Sequence, residues 1–114
     1  MGLSRWLGGV ALAAWAACAQ GHAHLLSAVP ADNSRISTAP ATLVLRFSEA
    51  ARLTALWIAR DGAPKQKLTP PQGSQAQLSV PLPALAPGQY VISWRALSAD
   101  GHVVPGEVRF TLSR

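Results

Sequence analysis

The segment YVISWRA, residues 90–96, alternates apolar side chains on one face with polar or smaller ones on the other. Tyr90, Ile92, Trp94 and Ala96 would share one face, since successive side chains of a strand point to opposite sides. The turn pair Pro87-Gly88 comes just before it. This stretch therefore predicts a β-strand that is buried on one face.

Apolar residues also occupy every second position in other short segments after residue 40. These segments are 43–47, 53–59, 78–82 and 108–112. Pro81 and Pro83 mark the 78–82 segment as an edge strand, because proline cannot donate to a central ladder. The aromatic residues Tyr90, Trp94 and Phe110 are predicted to fill the core. Short strands with Gly, Pro and Asp between them predict an all-β fold, a single antiparallel sandwich or barrel.

The first 21 residues have the pattern of a cleaved secretory signal. Arg5 gives a positive start, residues 6–17 are apolar, and the small residues Ala19 and Gly21 precede a cut before His22. A membrane anchor is the alternative, but this apolar stretch is shorter than the ~20 residues that span a bilayer. A second alternative is lipoprotein processing at Cys18. We expect a signal peptide over 1–21 and one exported domain over 22–114.

The net charge limits the kinds of partner that the protein can have. The net charge of +5 becomes +4 when Arg5 leaves with the signal. Such a positive balance is typical of proteins that bind nucleic acids or membranes. Along the chain, however, only Lys65 and Lys67 are close together. We therefore predict scattered surface charge and no nucleic-acid partner.

Cys18 is the single cysteine, and it lies in the predicted signal. The domain therefore has no disulfide and no thiolate metal site.

Few residues could support chemistry. The carboxylates are widely spread, Ser98 and Asp100 share one short loop with His102 rather than forming a nucleophile elbow, and no glycine-rich phosphate loop is present. An enzyme is therefore not predicted. The histidines are His22, His24 and His102.

Asp100-Gly101-His102 has two interpretations. Asp-Gly is a common turn pair, so the segment can be an ordinary polar turn. Alternatively, the carboxylate and the imidazole point toward a common ion. His22 would join them as the first mature residue, because its α-amino nitrogen and Nδ1 can chelate a metal. Three nitrogens and one oxygen suit one Cu(II) ion.

Four segments together resemble the periplasmic copper-resistance protein C family. They are HAHLLSAVPAD (22–32), LRFSE (45–49), YVISWRALSADGH (90–102) and PGEVRF (105–110). The likeness covers nearly all of the predicted mature chain, and the spacing from His22 to Pro30 matches that of the family, which favours the cut after Gly21. The resemblance implies a cupredoxin-like, immunoglobulin-like Greek-key β-sandwich. It also implies a Cu(II) site formed by His22, Asp100 and His102.

The sequence departs from some members of that family in one respect. Those members carry a methionine-rich Cu(I) loop, whereas Met1 is the single methionine here. We therefore expect a Cu(II)-only, monomeric protein that sequesters or carries one copper ion. The resemblance implies an inner-membrane CopD-like copper import protein as a partner. The alternatives are a histidine-brace oxidative enzyme and a metal-free adhesion or assembly module; whether His24 contributes a ligand is open.

Overall fold

The structure is a computed structural model that describes residues 23–113. The predicted signal peptide and His22 lie outside these residues. Seven strands follow one another: β1 (Leu25–Val29), β2 (Ser34–Ile36), β3 (Thr42–Arg60), β4 (Gln66–Lys67), β5 (Gln75–Pro81), β6 (Gly88–Ser98) and β7 (Val103–Leu112). The part of the chain that the structure describes includes no helix with the length and apolar character needed to cross a membrane.

Strand β3 belongs to both layers of the fold. Its first half pairs with β1 and β5, so that Leu45 lies opposite Ala28 on one side and Leu78 on the other. Its second half pairs with β4 and β6, where Leu56 lies opposite Trp94. Between the halves, residues 48–50 are exposed and the register with β5 shifts. A bulge of this kind bends a strand, which lets one strand pass from the first layer to the second.

The sequence predicted two separate strands over 43–47 and 53–59, and this was wrong in one detail. They are two halves of a single strand. The connecting residues Ser48, Glu49 and Ala50 include no glycine or proline, so nothing in them forces a turn. The alternation is interrupted, but the chain stays extended.

The larger layer continues from the second half of β3 through β6 and β7 to β2. Strand β2 is parallel to β7, and the other pairings are antiparallel. Strand β5 pairs with β3 alone within the described residues. Its predicted edge position is therefore confirmed.

The core lies between the two layers. Its buried side chains come from β3, β5, β6 and β7 and from Ala23, which precedes β1. They include Leu43, Leu45, Phe47, Leu56, Ile58, Val80, Ile92, Trp94 and Val108. The rings of Tyr90 and Phe110 stack with centroids 5.4 Å apart. Burial of these alternating side chains supplies the main driving force for folding. The predicted all-β sandwich and its three core aromatics are confirmed.

Candidate metal site

The turn between β6 and β7 presents the Asp-x-His pair. The amide of Ser98 donates to the carbonyl of His102 (2.9 Å), and the amide of Gly101 donates to the carbonyl of Ser98 (3.0 Å). Gly101 has a φ of 88°, a left-handed conformation that glycine adopts without steric cost. The chain therefore reverses within three residues, which confirms that Asp100-Gly101 is a hairpin turn.

The same turn brings the two predicted ligands into contact. Nδ1 of His102 lies 2.9 Å from Oδ2 of Asp100, and the backbone amide of His102 donates to Oδ1 of Asp100 (3.2 Å). The imidazole side chain is 66% exposed and the carboxylate 31%. An oxygen donor and a nitrogen donor are thus side by side and reachable from solvent. The turn and metal-site interpretations are compatible, because the turn itself creates the pair.

Ser98 fixes the carboxylate of Asp100. Its hydroxyl donates to Oδ1 of Asp100, and its oxygen also lies 3.1 Å from the carbonyl oxygen of His102. The hydrogen bond from Ser98, followed by that from the His102 side chain, holds the pKa of Asp100 well below its usual range. Asp100 therefore stays negatively charged and ready to bind a cation.

Sequence reasoning considered Ser98 only as a nucleophile and missed this supporting role. The signal was present in the alternation of β6, in which the buried positions 90, 92, 94 and 96 continue in phase to 98. Ser98 is only 3% exposed and is the buried polar residue of the described core. A buried hydroxyl needs a hydrogen-bond partner, and the nearest polar groups lie in the turn.

The start of the described chain is attached near this turn. Ala23 is fully buried, the amide of His24 donates to the hydroxyl of Ser48 (2.8 Å), and the amide of Ser48 donates to the carbonyl of His24 (2.7 Å). Three residues further along β3, Ala51 lies opposite Ser98. The backbone at His24 and the 98–102 turn are therefore at the same end of the sandwich. The side chain of His24 is exposed.

The structure describes two of the three predicted ligands, Asp100 and His102. Between residues 23 and 113, no three His, Cys, Asp or Glu side chains are grouped closely enough to hold a metal ion. His22 lies outside the described residues and stays a prediction. The candidate site is therefore a preformed oxygen–nitrogen pair beside the entry of the N-terminal segment.

The chain is similar to known proteins over most of its length. The family model of the CopC domain matches residues 25–113. The chain is 37% identical over 98 residues to protein YobA of Escherichia coli K12, which covers 80% of this chain and 78% of YobA. It is also 32% identical over 105 residues to copper resistance protein C of Pseudomonas syringae pv. tomato, which covers 82% of each chain.

Solved structures have the same fold. CopC from Methylosinus trichosporium OB3b matches with a TM-score of 0.69 and 28% identity, over 81% of this chain and 94% of that one. PcoC, a methionine-rich copper resistance protein from Escherichia coli, matches with a TM-score of 0.58 and 28% identity, over 81% of this chain and 99% of PcoC. From the β-sandwich, the turn at 98–102 and these matches, the chain is a member of the CopC family.

Proposed function

We propose that this protein is exported to the periplasm and there binds one Cu(II) ion, which it sequesters or carries in copper homeostasis. The ligands are the α-amino group and imidazole of His22, the carboxylate of Asp100 and the imidazole of His102. The observation that carries the proposal is the 2.9 Å contact between Asp100 and His102 at the end of the sandwich where the N-terminal segment enters. The copper-resistance proteins among its relatives support the same cargo.

The direction of the strand pairing favours an approach of His22 to the turn. The backbone of His24 is bonded to Ser48, in the antiparallel register of β1 and β3. Continued by two residues in that register, residue 22 would come beside residue 50. The next residue of β3, Ala51, lies opposite Ser98, so we expect this path to bring the amino group of His22 to the 98–102 turn.

The donor set has the chemistry that Cu(II) prefers. An amine, two imidazoles and a carboxylate make a tetragonal set of three nitrogens and one oxygen, and Cu(II) has the highest affinity among the divalent first-row metals. The lowered pKa of Asp100 means that this ligand has no proton to release when the ion binds. The amine exists at residue 22 only when the chain has been cut after Gly21. Export and metal binding are therefore linked in this proposal.

The absence of methionine ligands favours Cu(II) alone. Thioether ligands select Cu(I), and Met1, inside the predicted signal, is the single methionine of the sequence. The relative PcoC is described as methionine-rich. We therefore propose that this chain lacks the second, Cu(I) type of site. We also propose that it acts as a monomer. A CopD-like inner-membrane protein is its proposed recipient of copper.

Four protein donors fill the coordination plane of Cu(II), which suits binding rather than turnover. We therefore propose that the protein is not an enzyme. A histidine-brace enzyme would consume oxygen when a reductant is supplied. We expect the copper-loaded protein to consume no more oxygen with ascorbate than its copper-free form does, and measurable turnover would contradict this part of the proposal.

The decisive experiment is the intact mass of the exported protein with and without Cu(II). We expect a chain that begins at His22 and gains the mass of one copper. The His102→Ala variant should lose that gain, whereas the matched control His24→Ala should keep it. A chain with another first residue, or copper retained by His102→Ala, would refute the proposed site.

A further inference from the structure

The second layer of the sandwich has an outer face that the copper site does not use. We define the outer face as the outward side chains of β2, β4, β6, β7 and the second half of β3, with Lys65 beside them. Leu56 and Ile58 point into the core, so Trp57 between them points outward. In β6, Trp94 points inward, so its neighbour Arg95 points outward.

Strand pairing concentrates basic residues on this face. It carries six of the eight basic residues found between positions 23 and 113: Arg35, Arg52, Lys65, Lys67, Arg95 and Arg109. Its one carboxylate is Glu107, which pairs with Arg109 at 3.3 Å. The other carboxylates lie in turns or in the bend of β3: Asp32, Glu49, Asp61 and Asp100.

This arrangement differs from the scattered charge that the sequence predicted. Residues far apart in the chain meet through the register of the sheet. Arg109 lies opposite Val91, and Arg35 lies opposite Thr111 on the next strand. Partners across a ladder share one face, so the strand order decides where the charge collects.

Trp57 lies on the outer face between β4 and β6, opposite Lys67 on one side and Ser93 on the other. The Nζ of Lys65 lies 5.6 Å from the centroid of its ring, and the Cζ of Arg95 lies 5.5 Å from it. Both distances are within the range of a cation–π interaction. A groove of about 790 Å³ opens beside the three side chains and is also lined by Pro105, Gly106 and Glu107.

We propose that the outer face is a docking surface for an acidic segment of a partner protein. Carboxylates of such a segment would complement Lys65 and Arg95, and complementary charge speeds association and sets specificity. Tryptophan and arginine are also enriched among the residues that contribute most of the binding free energy at protein interfaces. The groove beside Trp57 accepts an extended segment.

An anionic membrane is the less suitable occupant. Aromatic residues that anchor a protein to a bilayer place an apolar ring in the headgroup region. Here the ring of Trp57 is half-buried between two cations instead of projecting from the face. The inference does not depend on the copper proposal, because the outer face and the 98–102 turn use different residues.

The test uses octaglutamate as the probe and copper-free protein purified after export. In NMR spectra the indole N–H signal of Trp57 reports on the groove, and the backbone amide signal of Ser79, which is exposed on the first layer, is the control. We expect octaglutamate at low salt to shift the Trp57 signal and to leave the Ser79 signal in place. A response of both signals or of neither would overturn the proposal.

Two variants with the same net charge distinguish binding at the outer face from general attraction to a basic protein. Arg95→Glu should weaken octaglutamate binding about tenfold, because it reverses a charge beside the groove. Arg46→Glu makes the same change in net charge on the first layer, where Arg46 is exposed opposite Gln77, and should weaken binding less than about twofold at equal ionic strength. Equal losses in the two variants would refute a specific surface.

Two further measurements complete the test. Vesicles of phosphatidylglycerol should bind Arg95→Glu and the charge-matched Arg46→Glu alike, and a loss confined to Arg95→Glu would identify a membrane surface instead of an acidic segment. His102→Ala should bind octaglutamate as the parent does. If that variant loses binding of octaglutamate, the outer face is not independent of the copper site and the proposal fails.

Discussion

Two turns of this protein contain the same dipeptide, Asp-Gly, and have different chemistry. Asp61-Gly62 follows β3, and Asp100-Gly101 follows β6. Both reverse the chain with a glycine in the left-handed region, at φ values of 76° and 88°. The conformation of the glycine is therefore shared, whereas Asp61 is also left-handed, at a φ of 52°, and Asp100 is not.

The partners of the two aspartates are what differ. Asp61 lies 3.6 Å from the guanidinium of Arg60 and accepts the backbone amide of Gln89 (2.8 Å), so a permanent cation neutralises it. Asp100 instead contacts the imidazole of His102, a side chain whose ring nitrogens can bind a metal. The comparison shows that the residues around a turn decide which partner its carboxylate has, and we propose that the partner of Asp100 allows it to bind an ion.

The largest expected difference is in copper affinity when each carboxylate is neutralised. Asp100→Asn should weaken Cu(II) binding by about a hundredfold, the upper end of the losses seen when groups around a metal are altered. Asp61→Asn, the matched control, should change it less than about twofold, because Asp61 lies in another turn, beside Arg60. Competition titration against a chelator measures both. Similar losses in the two variants would show that the carboxylates are not distinguished by their surroundings.

A smaller loss of copper affinity is expected when the hydrogen bond from Ser98 to Asp100 is removed. Ser98→Ala removes the hydroxyl that donates to this carboxylate and should weaken Cu(II) binding about tenfold, with one copper still bound. Ser79→Ala, at an exposed position of β5, is the control and should have no effect. If Ser98→Ala binds copper as tightly as the parent protein, the turn is rigid without its buried serine.

The two glycines offer a comparison at the level of folding. A β-carbon at residue 62 or 101 meets no atom within 4 Å, so alanine there disturbs only the backbone conformation. Each of Gly62→Ala and Gly101→Ala should lower the free energy of unfolding of the copper-free protein by roughly 1–2 kcal/mol. Urea denaturation measures this cost. Only Gly101→Ala should also weaken copper binding, and an equal effect of Gly62→Ala on copper would contradict the assignment of the site.

The smallest expected effect tests whether an Asp-x-His sequence is enough. Ala63→His places a histidine two residues after Asp61, as His102 stands two residues after Asp100. The stoichiometry should stay at one copper per chain, because Asp61 pairs with Arg60 and the backbone of His24 is bonded to Ser48, away from this turn. A second bound copper in the intact mass would show that local sequence suffices.

The strands could be predicted because their signal is local. Burial of one face imposes a period of two on β6, and this pattern is visible without knowing the partner strands. The continuity of β3 could not be predicted from the sequence, because a bend within one strand and a turn between two strands both interrupt the alternation of buried and exposed residues. The predicted ligands Asp100 and His102 do meet, as their spacing around a glycine suggested. The role of Ser98 was missed because it depends on burial.

By itself, the sequence determined the alternating segments that became β5, β6, β7 and the two halves of β3, which aromatic side chains fill the core, and that a carboxylate and an imidazole share one loop. It did not determine β1, β2 or β4. Only the tertiary structure decided which end of the sandwich receives the N-terminal segment and which face collects Arg35, Arg95 and Arg109. The physical reason is the range of the interactions. Alternation and turn chemistry act between neighbours in the chain, whereas strand order and register join residues that are far apart in it.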